Sequence, residues 1–168
     1  MLSKILSKEE CASCRFCCSF RRQSLWEVPV FTSENIKAIK IRHSEKSYNL
    51  IPFESEGKEY AKYDLSDKYL TNDSEEEAPC PFLDVNKGCM LSDEEKPWDC
   101  KIWPFRVVKK ETGEPFVVLT TTCPGVGKLS SSAISEFADE DFKKSLIAYA
   151  KEHPYLIKEY VEGKFIVY

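Results

Sequence analysis

Apolar positions recur along the chain with two periods, and between them lies a stretch with none. Leu25-Trp-Glu-Val-Pro-Val-Phe31 crowds them into a short run that predicts a strand, with Pro29 confining it to an edge or a bulge. Thr32 or Ser33 can cap a helix over Glu34 to Arg42, whose apolar side is Ile36 and Ile39 with Ile41. Leu50-Ile-Pro-Phe53 and Glu59-Tyr-Ala-Lys-Tyr-Asp-Leu65 predict short strands across the turn signal Glu56-Gly57-Lys58. Arg106-Val-Val-Lys-Lys110 and Pro115-Phe-Val-Val-Leu-Thr-Thr121 predict a hairpin around Glu111-Thr-Gly-Glu114. The last third changes period. Asp139-Glu-Asp141 puts acids in the first turn of a helix, and Phe142, Leu146 and Tyr149 follow at i, i+4 and i+7. His153-Pro154 interrupts it, and Tyr155, Ile157, Tyr160 and Val161 predict a second short helix with Pro154 near its first position. The chain closes with Phe165-Ile-Val-Tyr168. From Pro79 to Pro104 neither period holds: prolines 79, 81, 97 and 104 and the turn signal Asn86-Lys87-Gly88 predict loops.

The class these elements predict is α+β, a small single domain with short strands, a central irregular cysteine-rich region and C-terminal helices. The expected division places all the cysteines in residues 1–128, with 129–168 as a helical extension packed on that part.

Composition narrows the function classes. Hydrophobic residues make up 42% and charged residues 31%, as in a folded globular chain and too apolar for disorder. Lys and Arg number 24 against 28 Asp and Glu, a formal charge of −4. That balance excludes a surface built throughout to grip nucleic acid or anionic lipid. No apolar run approaches the roughly 18 residues of a membrane span. The N-terminus is broken by Lys4 and Lys8 and offers no secretory signal, so a cytoplasmic address is expected.

Cysteine is the outlier, with 8 in 168 residues. Cys11, Cys14, Cys17 and Cys18 form a C-x2-C-x2-C-C cluster; Cys80, Cys89, Cys100 and Cys123 are dispersed after a gap of 61 residues. Soft thiolates at two-residue spacing suit zinc or an iron–sulfur cluster. Arg15, Arg21, Arg22, Lys4 and Lys8 crowd the cluster and would favour thiolate over thiol. On an unbroken helix Cys11 and Cys17 would stand about 9 Å apart along the axis. One tetrahedral zinc needs sulfurs about 4 Å apart. Either the segment wraps as a loop around one centre, or its guest is larger than a single ion. C-x2-C-x2-C is also the spacing that ferredoxin-type loops wind around a 4Fe–4S cube, which favours iron–sulfur. In an extended stretch Cys17 and Cys18 would point to opposite sides and serve different centres. Eight thiols fill two four-sulfur sites, or one site with thiols in reserve.

Disulfides are the competing use of an even number of cysteines, and the missing export signal argues against them. Some thiols could instead be inert buried hydrophobes, Cys123 foremost. His43 and His153 read as surface or capping residues, and Phe82, Trp98, Trp103 and Phe105 as core packed around a site. Asp93, Glu94, Glu95 and Asp99 read as a solvated acidic loop, although Asp99 beside Cys100 could offer a hard ligand. Gly125 and Gly127 lack the spacing of a phosphate loop.

Taken together, Cys11-Ala-Ser-Cys14-Arg-Phe-Cys17-Cys18, Cys80-Pro-Phe-Leu83, Gly88-Cys89, Lys96-Pro97-Trp-Asp-Cys100 with Trp103-Pro104-Phe105, and Cys123-Pro-Gly-Val-Gly127 resemble the CxxCxxCC cysteine-cluster (YkgJ-type) family. Its members are described as zinc- or iron-chelating domains. Two positions depart from its pattern. Arg15 stands where the family often has the Gly that a tight positive-φ turn favours, and Lys96 where it often has Arg.

The resemblance implies metal or iron–sulfur binding through the matching cysteines; together with the cysteine spacing, the expected protein holds an iron–sulfur cluster, 4Fe–4S, for redox or electron-transfer use. All eight cysteines, Cys11, Cys14, Cys17, Cys18, Cys80, Cys89, Cys100 and Cys123, are the candidate ligands. A structural Zn2+ protein that organises a partner-binding surface is the alternative, its protein partner unidentified; nucleic acid and membrane are not expected partners. The family also includes longer flagellin lysine N-methylases, which makes a lysine-methylating modifier a third reading. Only the cysteine-cluster part carries over to this chain, and no catalytic residue is indicated.

Overall fold

Two compact units make up the chain, dividing between Lys101 and Ile102 rather than at the expected boundary of 128. The structure, a computed structural model, describes residues 7–43 and 49–167. The class is α+β.

The N-terminal unit begins with α1 (Lys8–Cys14), a 3-10 turn over Phe16–Cys18 and β1 (Ser19–Arg21). A 3-10 helix over Arg22–Glu27 replaces the first half of the strand expected from Leu25, and only Val30–Thr32 is extended, as β2. Pro29, lacking a backbone donor, precedes β2, which lies at the edge of its sheet as expected. Helix α2 (Ser33–Arg42) follows, with Thr32 as its cap: the Thr32 hydroxyl accepts the Asn35 N–H and the Asn35 side chain returns the bond. Ile39 is fully buried while Ile41 is exposed, so the apolar side is narrower than the sequence suggested. β3 (Leu50–Ser55) and β4 (Lys58–Tyr63) form the expected hairpin. Glu56 and Gly57 turn it with φ of 51° and 72°, the two positive values that match the twist of a two-residue hairpin. Strand order is β2-β4-β3, all antiparallel.

The proline-rich stretch is largely loop, as expected, yet three short strands and a helix punctuate it. β5 (Glu77–Pro79) pairs with β1, β6 (Leu83–Asp84) pairs with β7 (Gly88–Cys89), and α3 (Trp98–Ile102) follows. Phe20, Val28, Phe31, Ile39, Tyr63, Leu65, Ala78, Phe82 and Leu91 form this unit's core, with Cys80 and Cys89 packed against it.

The C-terminal unit is a four-stranded sheet with helices. β8 (Phe105–Lys109) and β9 (Phe116–Thr120) form the predicted hairpin. Its apolar residues are continuous because both faces of β8 are covered: Phe105, Val107 and Val108 are all buried. Arg106 is buried among them, its guanidinium 4.6 Å over the Trp103 ring. α4 (Ser131–Phe137) and α5 (Glu140–Glu152) supply the helices; Asp139 caps α5 and Phe142 stacks edge-on against Phe105 at 5.2 Å.

The second helix expected after Pro154 does not form. Pro154–Leu156 is a single 3-10 turn, and β10 (Lys158–Glu159) then pairs parallel to β8. The Tyr160 N–H donates to Lys109 O at 3.0 Å. An open sheet edge offers backbone partners that a two-turn helix of aromatic and β-branched residues cannot match. β11 (Phe165–Ile166) closes the other edge against β9; Tyr168 lies outside the described residues.

Candidate metal centre

The cysteine cluster is neither an unbroken helix nor a loop. Ser7 caps α1, its hydroxyl accepting the Glu10 N–H at 3.1 Å while its own N–H donates to the Glu10 carboxylate. The helix stops at Arg15, which is left-handed with φ of 54°. A non-glycine residue costs about 1–2 kcal/mol there. The Arg15 side chain helps to hold it, with Nε donating to Ala12 O at 3.0 Å and the guanidinium donating to Val85 O at 2.6 Å. The positive-φ turn therefore exists without glycine. It reverses the chain within two residues, and the following 3-10 turn lays Cys17 against Cys11, their side chains hydrogen-bonded.

Strand register brings in the second group. β1 and β5 pair Ser19 with Pro79, so the next step along the ladder is a bond from the Cys80 N–H to Cys18 O at 2.8 Å. Cys89 lies opposite Leu83 in the small β6–β7 hairpin. The preceding Gly88 packs directly on Ala12 of α1. Cys100 rides on α3, its N–H donating to Pro97 O at 3.1 Å.

Electrostatics ties these thiols together. Burial pushes the Cys100 thiol well up, and the charges of Cys80, Cys17, Asp99 and Cys89 push it further. Cys80 is also raised, by burial first and with Cys89 adding to it, against hydrogen bonds from Tyr63 and the Phe82 N–H. Cys11 is raised far above an ordinary thiol by the Cys17 side-chain hydrogen bond, then by burial and the Cys17 charge; Lys96 opposes this weakly. These influences link Cys11 with Cys17, Cys80 with Cys89, and Cys100 with Cys17, Cys80 and Cys89. Cys14 is exposed, Cys18 is half-buried and Cys123 is buried in the other unit. All eight are free thiols. Among the described residues, no three His, Cys, Asp or Glu side chains stand at the spacing of a metal-ion site.

The arginines do not act as expected. Arg21 pairs with Glu77 at 2.6 Å and Glu75 at 3.6 Å, and Arg22 with Glu76 at 3.3 Å. The acidic run 73–77 therefore neutralises them, and the buried thiols are held as thiols instead of being pulled toward thiolate. Lys4 and the Lys8 side chain lie outside the described residues. Burial alone would raise Glu76, but hydrogen bonds from the Leu70 and Thr71 N–H groups, the Thr71 hydroxyl and Arg22 outweigh it and hold its pKa down at about 2.

Two features of this region escaped the sequence. Tyr63 on β4 places its hydroxyl 3.5 Å from Cys80 Sγ, and alternation along the strand marks it as inward-facing without naming its neighbour. The loop acids also divide: Asp93 and Glu94 are exposed, whereas Asp99 and Glu95 are buried and not solvated. Asp99 accepts the Val30 N–H at 3.4 Å, a structural role. Glu95 accepts the Ser92 N–H at 2.6 Å and faces His43 Nε2 at 3.2 Å. His43 caps α2 in position but is packed edge-on against Phe82 at 5.5 Å rather than lying at the surface.

Burial opposes ionisation of Glu95, but the Ser92 N–H and the neighbouring His43 outweigh it and its pKa is lowered. A lowered carboxyl stabilises the fold above its unfolded pKa of about 4.3, and this is lost as pH falls through the lower folded value. Melting temperatures taken from pH 7 to pH 3 should fall below about pH 4.5 in the wild type. Glu95→Gln should start about 1–3 kcal/mol less stable and show a shallower acid decline. An identical acid profile would exclude the pair as a contributor.

Among the described residues no helix is long and apolar enough to cross a membrane. In comparison with known proteins, no family model, no curated protein and no solved structure matched this chain.

Proposed function

We propose that the chain is a thiolate metal-binding protein whose N-terminal unit holds an iron–sulfur cluster, with Cys11, Cys17, Cys80, Cys89 and Cys100 as the ligand pool. The observation that carries this is the packing of separate cysteine-bearing stretches on one another: the Cys80 N–H donates to Cys18 O at 2.8 Å, Gly88 beside Cys89 packs on Ala12 between Cys11 and Cys14, and Cys80, Cys17 and Cys89 all bear on the buried Cys100 thiol. Chance burial of inert cysteines gives no reason for α1, the β1–β5 ladder, the β6–β7 hairpin and α3 all to deliver sulfur to one region.

The donor set is soft throughout, which selects zinc, copper(I) or iron–sulfur over hard cations. The C-x2-C-x2-C spacing of Cys11, Cys14 and Cys17 is the one that winds around a 4Fe–4S cube, which favours a cluster over a single ion. Such a cluster supplies one-electron transfer when bound. The protein's own part is to exclude water with Phe82, Leu91 and Tyr63 and to fix the sulfurs on short, cross-braced segments. Free thiols throughout support a reducing, cytoplasmic setting. The resemblance to the cysteine-cluster family points the same way.

Loading must displace the protons that burial keeps on the thiols, so retention should improve from pH 6 to pH 8. The deciding experiment measures iron, zinc and acid-labile sulfide per chain on protein purified without oxygen. A brown sample with iron and sulfide in equal amounts is expected. Stoichiometric zinc in a colourless sample would replace the cluster with the structural zinc reading, and a folded sample with no thiophilic metal would end both.

A further inference from the structure

Tyr63 sits in the middle strand of the β2-β4-β3 sheet and is 4% exposed. Three rings fix its orientation: Phe31 edge-on at 5.0 Å, Phe20 at 6.0 Å and Phe82 at 6.3 Å. A phenylalanine would fill this packing equally well, so the hydroxyl needs its own explanation. A buried phenol costs stability unless it has a partner. The partner here is Cys80 Sγ at 3.5 Å.

A neutral thiol is a weak acceptor, and a hydroxyl aimed at one gains little. A sulfur carrying charge from a bound metal is a strong acceptor. The group is thus better matched to a ligating sulfur than to a free thiol. Tyr69 supplies the contrast, packing against the same core with its hydroxyl satisfied by Phe20 O at 2.8 Å.

We propose that Tyr63 is a positioning residue of the metal centre, its hydroxyl donating to the ligating sulfur of Cys80 so as to hold that sulfur in place and withdraw electron density from it. The proposal rests on the metal-binding reading of the preceding subsection.

The test compares wild type, Tyr63→Phe and Tyr69→Phe, all prepared under argon. Metal and sulfide per chain are measured first, then the rate of metal loss to excess chelator. Where iron is present, the reduction potential is added. Melting of the metal-free chains checks the fold. Tyr63→Phe should load like wild type but release metal about tenfold faster, the usual scale for an outer-shell partner. Its potential should shift negative, because the sulfur keeps more electron density. Tyr69→Phe should match wild type in both. Failure of Tyr63→Phe alone to load, with metal-free melting equal to that of Tyr69→Phe, also supports the role. Release at the wild-type rate overturns it, as does equal acceleration in both variants or a metal-free chain destabilised only by Tyr63→Phe. A wild type that binds no metal removes the parent reading and this one together; a loaded wild type with an indifferent Tyr63→Phe removes this one alone.

Discussion

Cys100→Ala is expected to lose its metal, at least tenfold in content per chain, whereas Cys123→Ala and Cys14→Ala keep it. Cys100 is where the coupling converges: its thiol feels Cys80, Cys17 and Cys89, which come from three other stretches of the chain. Removing it takes out the sulfur that bears on both Cys17 and the separate Cys80 and Cys89. Cys123 belongs to the other unit and is 4% exposed there, followed by a turn in which the Val126 N–H donates to Cys123 O at 3.0 Å. Its loss should cost about 1 kcal/mol of packing and little else. Cys14 faces solvent on α1 and is the cysteine most exposed to alkylation in the loaded protein. Elemental analysis of the three variants, each beside its melting temperature, separates ligand loss from unfolding. Full metal in Cys100→Ala would break the five-thiol set at its centre, and depletion in Cys123→Ala would require a ligand from the other unit.

Local signals account for what the sequence made legible. Thr32 and Asp139 announce helix starts because a hydroxyl or carboxylate three residues ahead of a free N–H is a short-range event. The β3–β4 and β8–β9 hairpins follow from alternation around a turn, again within a dozen residues. Longer reach defeated the same reasoning. Lys158–Glu159 looked helical because its partner β8 is remote in sequence. Arg21 and Arg22 looked like thiolate-stabilising cations because the acids that claim them, Glu75, Glu76 and Glu77, arrive through the β1–β5 register. Cysteine spacing marked the thiols as candidates, but not which of them the fold brings near one another. That choice is made by one left-handed Arg15, one ladder and one glycine contact.

Of those three, the glycine contact yields the sharpest structural prediction. Gly88 has φ of +77°, and a Cβ added there would stand 3.1 Å from Ala12 Cβ and 3.3 Å from Ala12 Cα. Ala12 lies between Cys11 and Cys14 on α1, so the contact holds the Cys11–Cys14 segment against the strand that carries Cys89. Gly57 offers a matched control: its φ is +72°, but a Cβ there meets nothing within 4 Å. Both substitutions to alanine pay the left-handed strain of about 1–2 kcal/mol. Only Gly88→Ala must also push α1 away. Gly57→Ala is therefore expected to lower the melting temperature and leave metal retention unchanged. Gly88→Ala should lose metal to chelator at least tenfold faster, on top of a larger stability loss. Adding Ala12→Gly to Gly88→Ala removes the Cβ–Cβ clash, so retention should recover in part. Stability should not recover, because a helix-interior glycine costs about 1 kcal/mol of its own. Recovery of one property without the other would locate the effect in the docking of α1. Equal metal release from Gly57→Ala and Gly88→Ala would mean instead that Cys11 and Cys89 do not depend on each other's position, and the ligand pool would have to be redrawn without α1.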